Sequence, residues 1–287
     1  MSSHPAFQPG RTAVITGGAS GIGLAAAERF AGFGMNVLIA DVAGLTEGAD
    51  AARAKAVGGA RVDAVKVDVS DFDQVRQLAE RAFDDFGDVA VVMNNAGVAG
   101  GGSALENLDG WRRVLNVNLM GVLHGVQAFG PEMIAQGKPG LIVNTGSKQG
   151  ITAPPGDTAY NVSKAGIKAL TEGLQHTLRN APDCQVSAHL LVPGSTFTAM
   201  TRRGGRTEKP AGAWTPEQVI DFMLERLDAG DFYILCPDNE VTRAMDNARM
   251  AWAMGDLTQN RPPLSRWHPD HKDAFAAFLA ERTRSDG

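Results

Sequence analysis

The sequence contains few cysteines, no excess of basic residues and no long apolar run, and each shortage excludes a class of protein. Its two cysteines, Cys184 and Cys236, lie far apart without metal-type spacing, so we expect reduced packing residues and no disulfide framework. The 27 Lys and Arg face 32 Asp and Glu, a net charge of −5, which leaves no basic field for nucleic acid or anionic lipid. No apolar run approaches the ~18 residues of a membrane span, and the N-terminus lacks a signal-peptide segment, which favours a soluble, cytosolic protein.

Seven short apolar runs alternate with longer segments of helical period, and glycines stand between them. The 34 glycines among 287 residues sit singly or in short clusters, which is typical of tight turns. The apolar runs cover 12–16, 36–41, 61–67, 89–93, 141–145, 185–191 and 232–236, and the helical segments cover 21–33, 44–58, 71–86, 108–130, 157–180 and 215–229. Runs such as VAVVM lack alternation, as expected when helices cover both faces of a sheet. The order predicts an α/β fold, a doubly wound parallel sheet of about seven strands.

The domain organisation follows from the absence of internal repeats and of a Pro/Gly/Ser-rich linker. We expect a single domain over 1–287, with its core at about 10–237. Two regions depart from the strand–helix alternation. Residues 198–213 are polar and Gly-rich and predict a mobile flap. Residues 238–287 form a C-terminal extension with helix-like segments around a Pro-rich, Trp-containing stretch, and it should pack on another part of the protein.

A glycine-rich turn follows the first apolar run with the pattern G-x-x-x-G-x-G, formed by Gly17, Gly21 and Gly23. Glycine lets backbone N–H groups approach a pyrophosphate, and the following helix presents its positive end to the anion. The pattern alone fits an ordinary tight turn equally well. Asp41 ends the second apolar run and favours a dinucleotide site, although a helix N-cap or a solvated carboxylate is the alternative.

The residue at position 41 also predicts which dinucleotide binds. A carboxylate accepts hydrogen bonds from both ribose hydroxyls and repels a 2′-phosphate, and no basic residue stands at Ser20 or Val42 to neutralise one. NAD(H) is therefore favoured over NADP(H).

Tyr160 and Lys164 stand four residues apart at the start of a helical segment, so their side chains share one face. An ammonium at roughly 4–5 Å in an effective dielectric of ~20 contributes about 4 kcal/mol, which is enough to lower the pKa of a phenol by close to ~3 units. The spacing alone also fits a surface tyrosine and a solvated lysine. Ser147, just past the fifth apolar run, argues against that alternative because it lies at the sheet edge where ligands gather.

Six motifs together resemble the short-chain dehydrogenase/reductase family. They are TGGASGIG, NNAG, VNL, GS at 146–147, YNVSK and Pro193–Gly194, in the family's order and at its intervals over about residues 10–237. The resemblance implies a Rossmann-like fold and an oxidoreductase that interconverts an alcohol and a ketone. The long C-terminal extension departs from the family's pattern and weakens any inference about substrate.

The resemblance also implies roles for individual residues. Tyr160 would be the acid/base, Ser147 would orient the reacting oxygen, Lys164 would bond the nicotinamide ribose, and Asn118 would hold a water linked to Lys164. Asp68 and Val69 would edge the adenine, and Thr198 would reach the carboxamide. The complete cofactor set is Gly17, Ser20, Gly21, Ile22, Gly23, Asp41, Asp68, Val69, Asn95, Ala96, Gly97, Tyr160, Lys164, Pro193, Gly194 and Thr198.

The expected substrate pocket is mainly apolar and follows the strand ends. Its members are Val98, Ser147, Gln149, Ile151, Pro154, Pro155, Ser195, Phe197 and Met200. They favour a hydrophobic or aromatic secondary alcohol as the small-molecule substrate, although several of them fit simple loop packing equally well. The basic flap residues Arg202, Arg203, Arg206 and Lys209 are a hypothesis for an anion-binding site, with solvated charges as the alternative.

Three further expectations concern activity, assembly and metal. The alternative to an enzyme is a non-catalytic NAD(H) sensor or scaffold, which an intact Ser147, Tyr160 and Lys164 argue against. Trp252 and Trp267 in the extension, beside Pro262–Pro263, either cap a pocket or anchor a neighbouring subunit, and we favour the subunit interface. The family resemblance implies a homo-oligomer through helices near 108–130 and 157–180, with a tetramer favoured and a dimer as the alternative. His268 and His271 are close in sequence, but we expect solvated histidines and no metal site.

Overall fold

The computed structural model describes residues 4–201 and 208–284. Within these residues seven strands form one parallel sheet in the order β3-β2-β1-β4-β5-β6-β7, which confirms the predicted Rossmann-like fold. The strands are β1 (Thr12–Thr16), β2 (Asn36–Asp41), β3 (Val62–Lys66), β4 (Val89–Asn94), β5 (Gly140–Thr145), β6 (Val186–Val192) and β7 (Tyr233–Leu235). The order reverses between β1 and β4, which is the point where open sheets of this kind bind ligands.

Helices cover both faces of the sheet. They are α1 (Gly21–Ala31), α2 (Leu45–Arg53), α3 (Phe72–Phe86), α4 (Leu108–Leu115), α5 (Gly121–Ala135), α6 (Gln149–Thr152), α7 (Thr158–Asn180), α8 (Pro216–Asp228), α9 (Arg243–Thr258) and α10 (Lys272–Thr283). Side chains of α1 and α8, including Phe30 and Met223, form the buried cluster on one face. Side chains of α3, α5 and α7, including Leu78 and Phe129, form the cluster on the other. Every residue of β1, β4 and β5 is buried, because both layers press on the sheet.

The helix predicted over 108–130 contains a wider turn. Residues Asn116–Met120 form a π-helical segment between α4 and α5, and α5 continues to Ala135. The turn directs the side chain of Asn118 inward, where it is fully buried. Single π-turns of this kind often occur at functional sites.

The C-terminal extension consists of α9, two short 3-10 turns and α10. The prediction that Trp252 packs at a subunit interface is wrong. Its ring is 5% exposed and lies inside its own chain, against the edges of Phe275 and Phe278. Its indole N–H donates to Ser265 Oγ at 2.8 Å. Trp267 remains 39% exposed.

No helix in the described ranges combines the length and apolar character needed to cross a bilayer. The two cysteines are free thiols, and Cys236 is buried in the sheet layer.

Candidate active site

A crevice opens along the carboxyl ends of β1, β4, β5 and β6. It holds about 1480 Å³ of empty space, open mouth included. Most of the residues predicted to bind a dinucleotide or to catalyse line it together: Gly17, Ser20, Gly21, Ile22, Asp41, Asp68, Val69, Asn95, Ala96, Gly97, Ser147, Tyr160, Lys164, Pro193, Gly194 and Thr198. Sequence reasoning missed Thr145, Gly146, Arg113, Val117 and Thr196, which also line it. The carboxyl-end rule alone indicates Thr145 and Gly146, since they end β5.

The glycine-rich turn between β1 and α1 has no room for side chains. A Cβ added at Gly23 would lie 2.2 Å from the carbonyl oxygen of Gly17, and one added at Gly17 would lie 2.7 Å from the Cα of Ala96. Gly17 and Gly21 have φ of +63° and +55°, the left-handed region that favours glycine. Asn95 Nδ2 donates to the carbonyls of Thr16 and Gly17 at 3.3 and 3.2 Å and fixes the turn against β4.

This turn fits a diphosphate because it presents backbone to the crevice. Ser20, the N-cap of α1, does not cap the first turn with its side chain, so the first N–H groups of α1 remain for an anion. Asp41 lies at the end of β2 beside the turn. Its carboxylate accepts hydrogen bonds from the backbone N–H of Ala19 at 3.1 Å and of Val42 at 2.7 Å, which hold it beside the glycine-rich turn.

Tyr160 and Lys164 project from the first turns of α7 toward Ser147. Ser147 lies close enough to the Tyr160 phenol to lower its pKa. The ammonium of Lys164 lies 5.6 Å from the centre of the Tyr160 ring and donates to the carbonyl oxygen of Thr145 at 2.8 Å. The structure therefore brings the three predicted side chains to one place.

Burial controls the ionisation of both groups on α7. It lowers the pKa of Lys164 to about 8. Burial also raises the pKa of Tyr160, and this effect is larger than the lowering caused by Ser147. The carboxylate of Asp157 raises the pKa of Tyr160 further. The expected lowering of the Tyr160 pKa by Lys164 is thus not found, because burial destabilises the phenolate more than the neighbouring groups stabilise it.

Asp157 caps α7 and ties it to the loop after β4. Its carboxylate accepts hydrogen bonds from the N–H groups of Gly100 at 2.6 Å, Gly102 at 3.2 Å and Tyr160 at 3.2 Å. Three residues of the glycine-rich loop, Gly100, Gly101 and Gly102, and the start of the helix therefore share one anchor.

The side chain of Asn118 also binds the loop after β4. Its amide exchanges two hydrogen bonds with the backbone of Val98, at 2.8 and 2.9 Å, and donates to Ser163 Oγ at 3.1 Å. The loop is thereby fixed on two sides.

A second crevice, at the predicted substrate pocket, continues from the first. The predicted pocket residues Val98, Gln149, Pro154, Pro155 and Met200 line it. Three others lie elsewhere. Ile151 packs against the cluster around Ile167 and Leu190, the Ser195 N–H faces Asp238 at 3.4 Å, and the backbone of Phe197 pairs with that of Trp214.

The flap prediction falls partly outside the described residues, which omit Arg202, Arg203 and Arg206. Lys209 donates to the carbonyl of Ala213 at 2.7 Å.

Among the residues that the structure does describe, no group of three His, Cys, Asp or Glu side chains could hold a metal ion. The rings of His268 and His271 lie 5.6 Å apart.

Comparisons with known proteins agree with this geometry. The family model for short chain dehydrogenases matches residues 11–209. The 1-deoxy-11-beta-hydroxypentalenate dehydrogenase of Streptomyces exfoliatus is 35% identical over 263 residues, which cover 90% of this chain and 94% of that protein. The 3beta-hydroxysteroid dehydrogenase 2 of Eggerthella lenta is 36% identical over 199 residues, 68% of this chain and 74% of that one.

A solved structure adds to the likeness. The short-chain dehydrogenase/reductase of Burkholderia phymatum, crystallised in complex with NAD, superposes with a TM-score of 0.79 at 34% identity, covering 90% of this chain and 97% of that chain. The fold and its crevice define an NAD(P)-dependent oxidoreductase that acts on CH–OH groups. The chain belongs to the short-chain dehydrogenase/reductase family.

Proposed function

We propose that the protein is an NAD(H)-dependent enzyme of the cytosol that interconverts a secondary alcohol and a ketone, with Tyr160 as the acid/base. The observation that carries the proposal is that Ser147, Tyr160 and the buried Lys164 line the same crevice, with Ser147 close enough to lower the pKa of the Tyr160 phenol. The apolar residues of the second crevice, Val98, Pro154, Pro155 and Met200, support a hydrophobic or aromatic substrate. The names of both relatives, a hydroxypentalenate and a hydroxysteroid dehydrogenase, also support a hydroxyl group on a largely hydrocarbon molecule.

The dinucleotide, when bound, supplies or accepts a hydride. In the proposed reaction Ser147 donates a hydrogen bond to the substrate oxygen, and Tyr160 gives its proton to that oxygen during reduction. The raised pKa of Tyr160 keeps this proton in place at neutral pH. During oxidation the proton moves the opposite way, and the ammonium of Lys164 stabilises the phenolate. Lys164 would also hold the nicotinamide ribose, and the turn at Gly17–Gly23 the diphosphate.

A conservative substitution of the proposed acid/base tests the reaction. Tyr160→Phe should lower turnover of a panel of secondary alcohols and ketones by about 10² to 10⁴, while the affinity for NADH, read by fluorescence, stays near that of the wild type. Tyr233→Phe is the matched control, since Tyr233 is the other tyrosine of the chain and lies on the surface, bonded to Glu172. Equal turnover in the Tyr160 and Tyr233 variants would remove Tyr160 as the acid/base.

The preference for NAD(H) rests on Asp41. Its carboxylate would accept from the adenosine ribose and repel a 2′-phosphate, and the neighbouring Val42 is 56% exposed and uncharged. Asp41→Ala should raise KM for NAD⁺ and lower KM for NADP⁺, which initial rates with both cofactors would show. A wild-type enzyme that turns over NADP⁺ as well as NAD⁺ would overturn this part of the proposal.

Assembly into a homotetramer through α4, α5 and α7 is a further part of the proposal. Apolar side chains on this surface support it: Leu108, Met120 and Val162 are 63%, 38% and 44% exposed. Sedimentation at micromolar concentration should show a tetramer, and a monomer at all concentrations would contradict it.

A further inference from the structure

A nearly buried cluster of charges joins the C-terminal extension to the residue after Ser147. Lys148 Nζ lies 2.6 Å from Asp246 Oδ2 on α9 and 3.5 Å from Asp238 Oδ2. The side chains are 17%, 7% and 8% exposed, so water screens the cluster little. Arg249, one turn further along α9, lies 3.9 Å from the second oxygen of Asp246.

The same cluster contacts the turn after β6, where Pro193 and Gly194 belong to the predicted cofactor-binding residues. Asp238 Oδ2 accepts the Ser195 N–H at 3.4 Å. A Cβ added at Gly194 would lie 2.8 Å from that oxygen and 3.0 Å from Lys148 Nζ. The backbone N–H of Lys148 also donates to the carbonyl of Pro193 at 3.4 Å. Lys148 and Asp238 therefore pack directly on the backbone of this turn.

On its other side the Ser147 turn abuts α7. Gly150, in α6, lies against Lys164 so closely that a Cβ there would be 2.5 Å from the Lys164 carbonyl carbon. The Ser147 hydroxyl also accepts the Gln149 N–H at 3.2 Å. A shift of the turn at residues 147–150 thus changes the distance between Ser147 and the phenol of Tyr160.

The charges of this cluster restrict the positions of the groups around them but add little to the free energy of unfolding. Burial raises the pKa of Asp246 in spite of the two cations beside it, so its desolvation is only partly offset. Buried ion pairs of this kind contribute little net stability compared with apolar side chains of the same size. A fixed ammonium between two carboxylates does, however, permit only a narrow range of positions for the backbone that carries it.

We propose that Lys148, Asp238 and Asp246 are positioning residues, through which the C-terminal extension holds both the Ser147 turn and the Pro193–Ser195 turn in their active arrangement. The inference rests on the proposed function of Ser147 and Tyr160. It assigns the extension a part in the reaction, although the extension lies beyond the residues that match the family model.

The test removes Lys148 and Asp246 together, because a single substitution would leave one member of this 2.6 Å pair without the other. Asp238 keeps its hydrogen bonds from the N–H groups of Ser195, Glu240 and Val241 in the double variant. Lys148→Met with Asp246→Asn should lower kcat about tenfold and weaken NADH binding severalfold, measured at least 15 °C below the midpoint of thermal unfolding. The KM for the alcohol should change little, since neither residue lines the substrate-side crevice. The single variant Lys148→Arg, which keeps the positive charge, should retain most of the wild-type kcat.

A control within the extension separates positioning from general destabilisation. Asp256 accepts from Arg261 at 3.0 Å and from the Ser265 N–H at 3.0 Å, away from the Ser147 turn. Asp256→Asn should lower the unfolding midpoint but leave kcat and NADH affinity unchanged.

The outcomes distinguish this inference from the proposed function. If the Lys148/Asp246 double variant keeps wild-type kcat and NADH affinity while Tyr160→Phe is inactive, the positioning role is wrong and the proposed function stands. If Tyr160→Phe retains full turnover, the proposed function itself is wrong. A tenfold loss of kcat in Asp256→Asn as well would overturn the positioning role, because any loosening of the extension would then suffice.

Discussion

The sheet and the C-terminal extension are ordered by different interactions. In the sheet, apolar side chains such as Phe30 and Phe129 are fully buried between strands and helices, and non-directional burial of hydrocarbon dominates. In the extension, none of the described residues of α10 is fully buried, and α9 buries Trp252 as its one large apolar side chain. Arg261 stacks on this ring at 3.9 Å and bonds to Asp256. The comparison teaches that a short extension can be ordered by a few directional contacts around one aromatic ring.

The largest expected effect compares an aromatic core residue in each region. Phe129→Ala should lower the free energy of unfolding of the sheet by about 3–5 kcal/mol, because it leaves a cavity. Trp252→Ala should lower the free energy of unfolding by a similar amount, but only that of the extension. Hydrogen exchange of Trp252→Ala should therefore rise over residues 243–284 while the strands stay protected. Equal loss of protection in the strands would show that the two regions unfold as one unit.

The second prediction concerns the turn that the sheet presents to the cofactor. Gly23→Ala should weaken NADH binding by about 100-fold or more, which corresponds to about 2.8 kcal/mol, because the added methyl group meets the carbonyl of Gly17. Gly173→Ala is the matched control. Gly173 lies on the exposed face of α7 with open space around its Cα, so alanine should leave binding unchanged and add about 0.5–1 kcal/mol to stability. Titration of NADH fluorescence measures the first effect, and thermal unfolding the second.

The third prediction uses the pKa of about 8 that burial gives Lys164. Because this pKa is lowered, the folded protein releases the proton of Lys164 around pH 8, whereas the unfolded chain keeps it up to about pH 10.5. The kcat/KM for NADH, which reports ionisations of the free enzyme, should fall about tenfold per pH unit above about pH 8. Activity that remains in Lys164→Arg should lack this decline, since a guanidinium keeps its charge. A flat profile up to pH 10 in the wild type would contradict the expectation.

The smallest effect concerns the exposed tryptophan of the extension. Arg266 lies 4.7 Å from the ring centre of Trp267, and such an exposed contact contributes about 0.5–1 kcal/mol. Trp267→Ala should lower the unfolding free energy by that amount, independently of protein concentration. An effect that grows on dilution would instead show that Trp267 packs against another subunit.

Features that depend on neighbouring residues in the sequence were predictable, whereas contacts between residues far apart in the chain were not. The seven strands were predictable from short apolar runs, and Gly23 and Asp41 from their places at strand ends. The Lys148–Asp246 pair was not, since its members stand far apart in the chain and only the packing of α9 on α6 joins them. Burial of Trp252 depends in the same way on α10, which brings Phe275 and Phe278 against its ring. The pKa of Tyr160 was mispredicted because spacing indicates a neighbouring charge but not the loss of water.

The shared anchor at Asp157 has a consequence for engineering substrate range. Because one carboxylate accepts from the N–H groups of both Gly100 and Tyr160, we expect a change in the wall of the second crevice to displace Tyr160 as well. A loop transplanted from a relative into positions 98–107 will retain activity only if it offers amide hydrogens to Asp157 in the same arrangement. Libraries that vary the opposite wall, at Gln149 or Met200, leave that anchor intact and are the safer route to new alcohols.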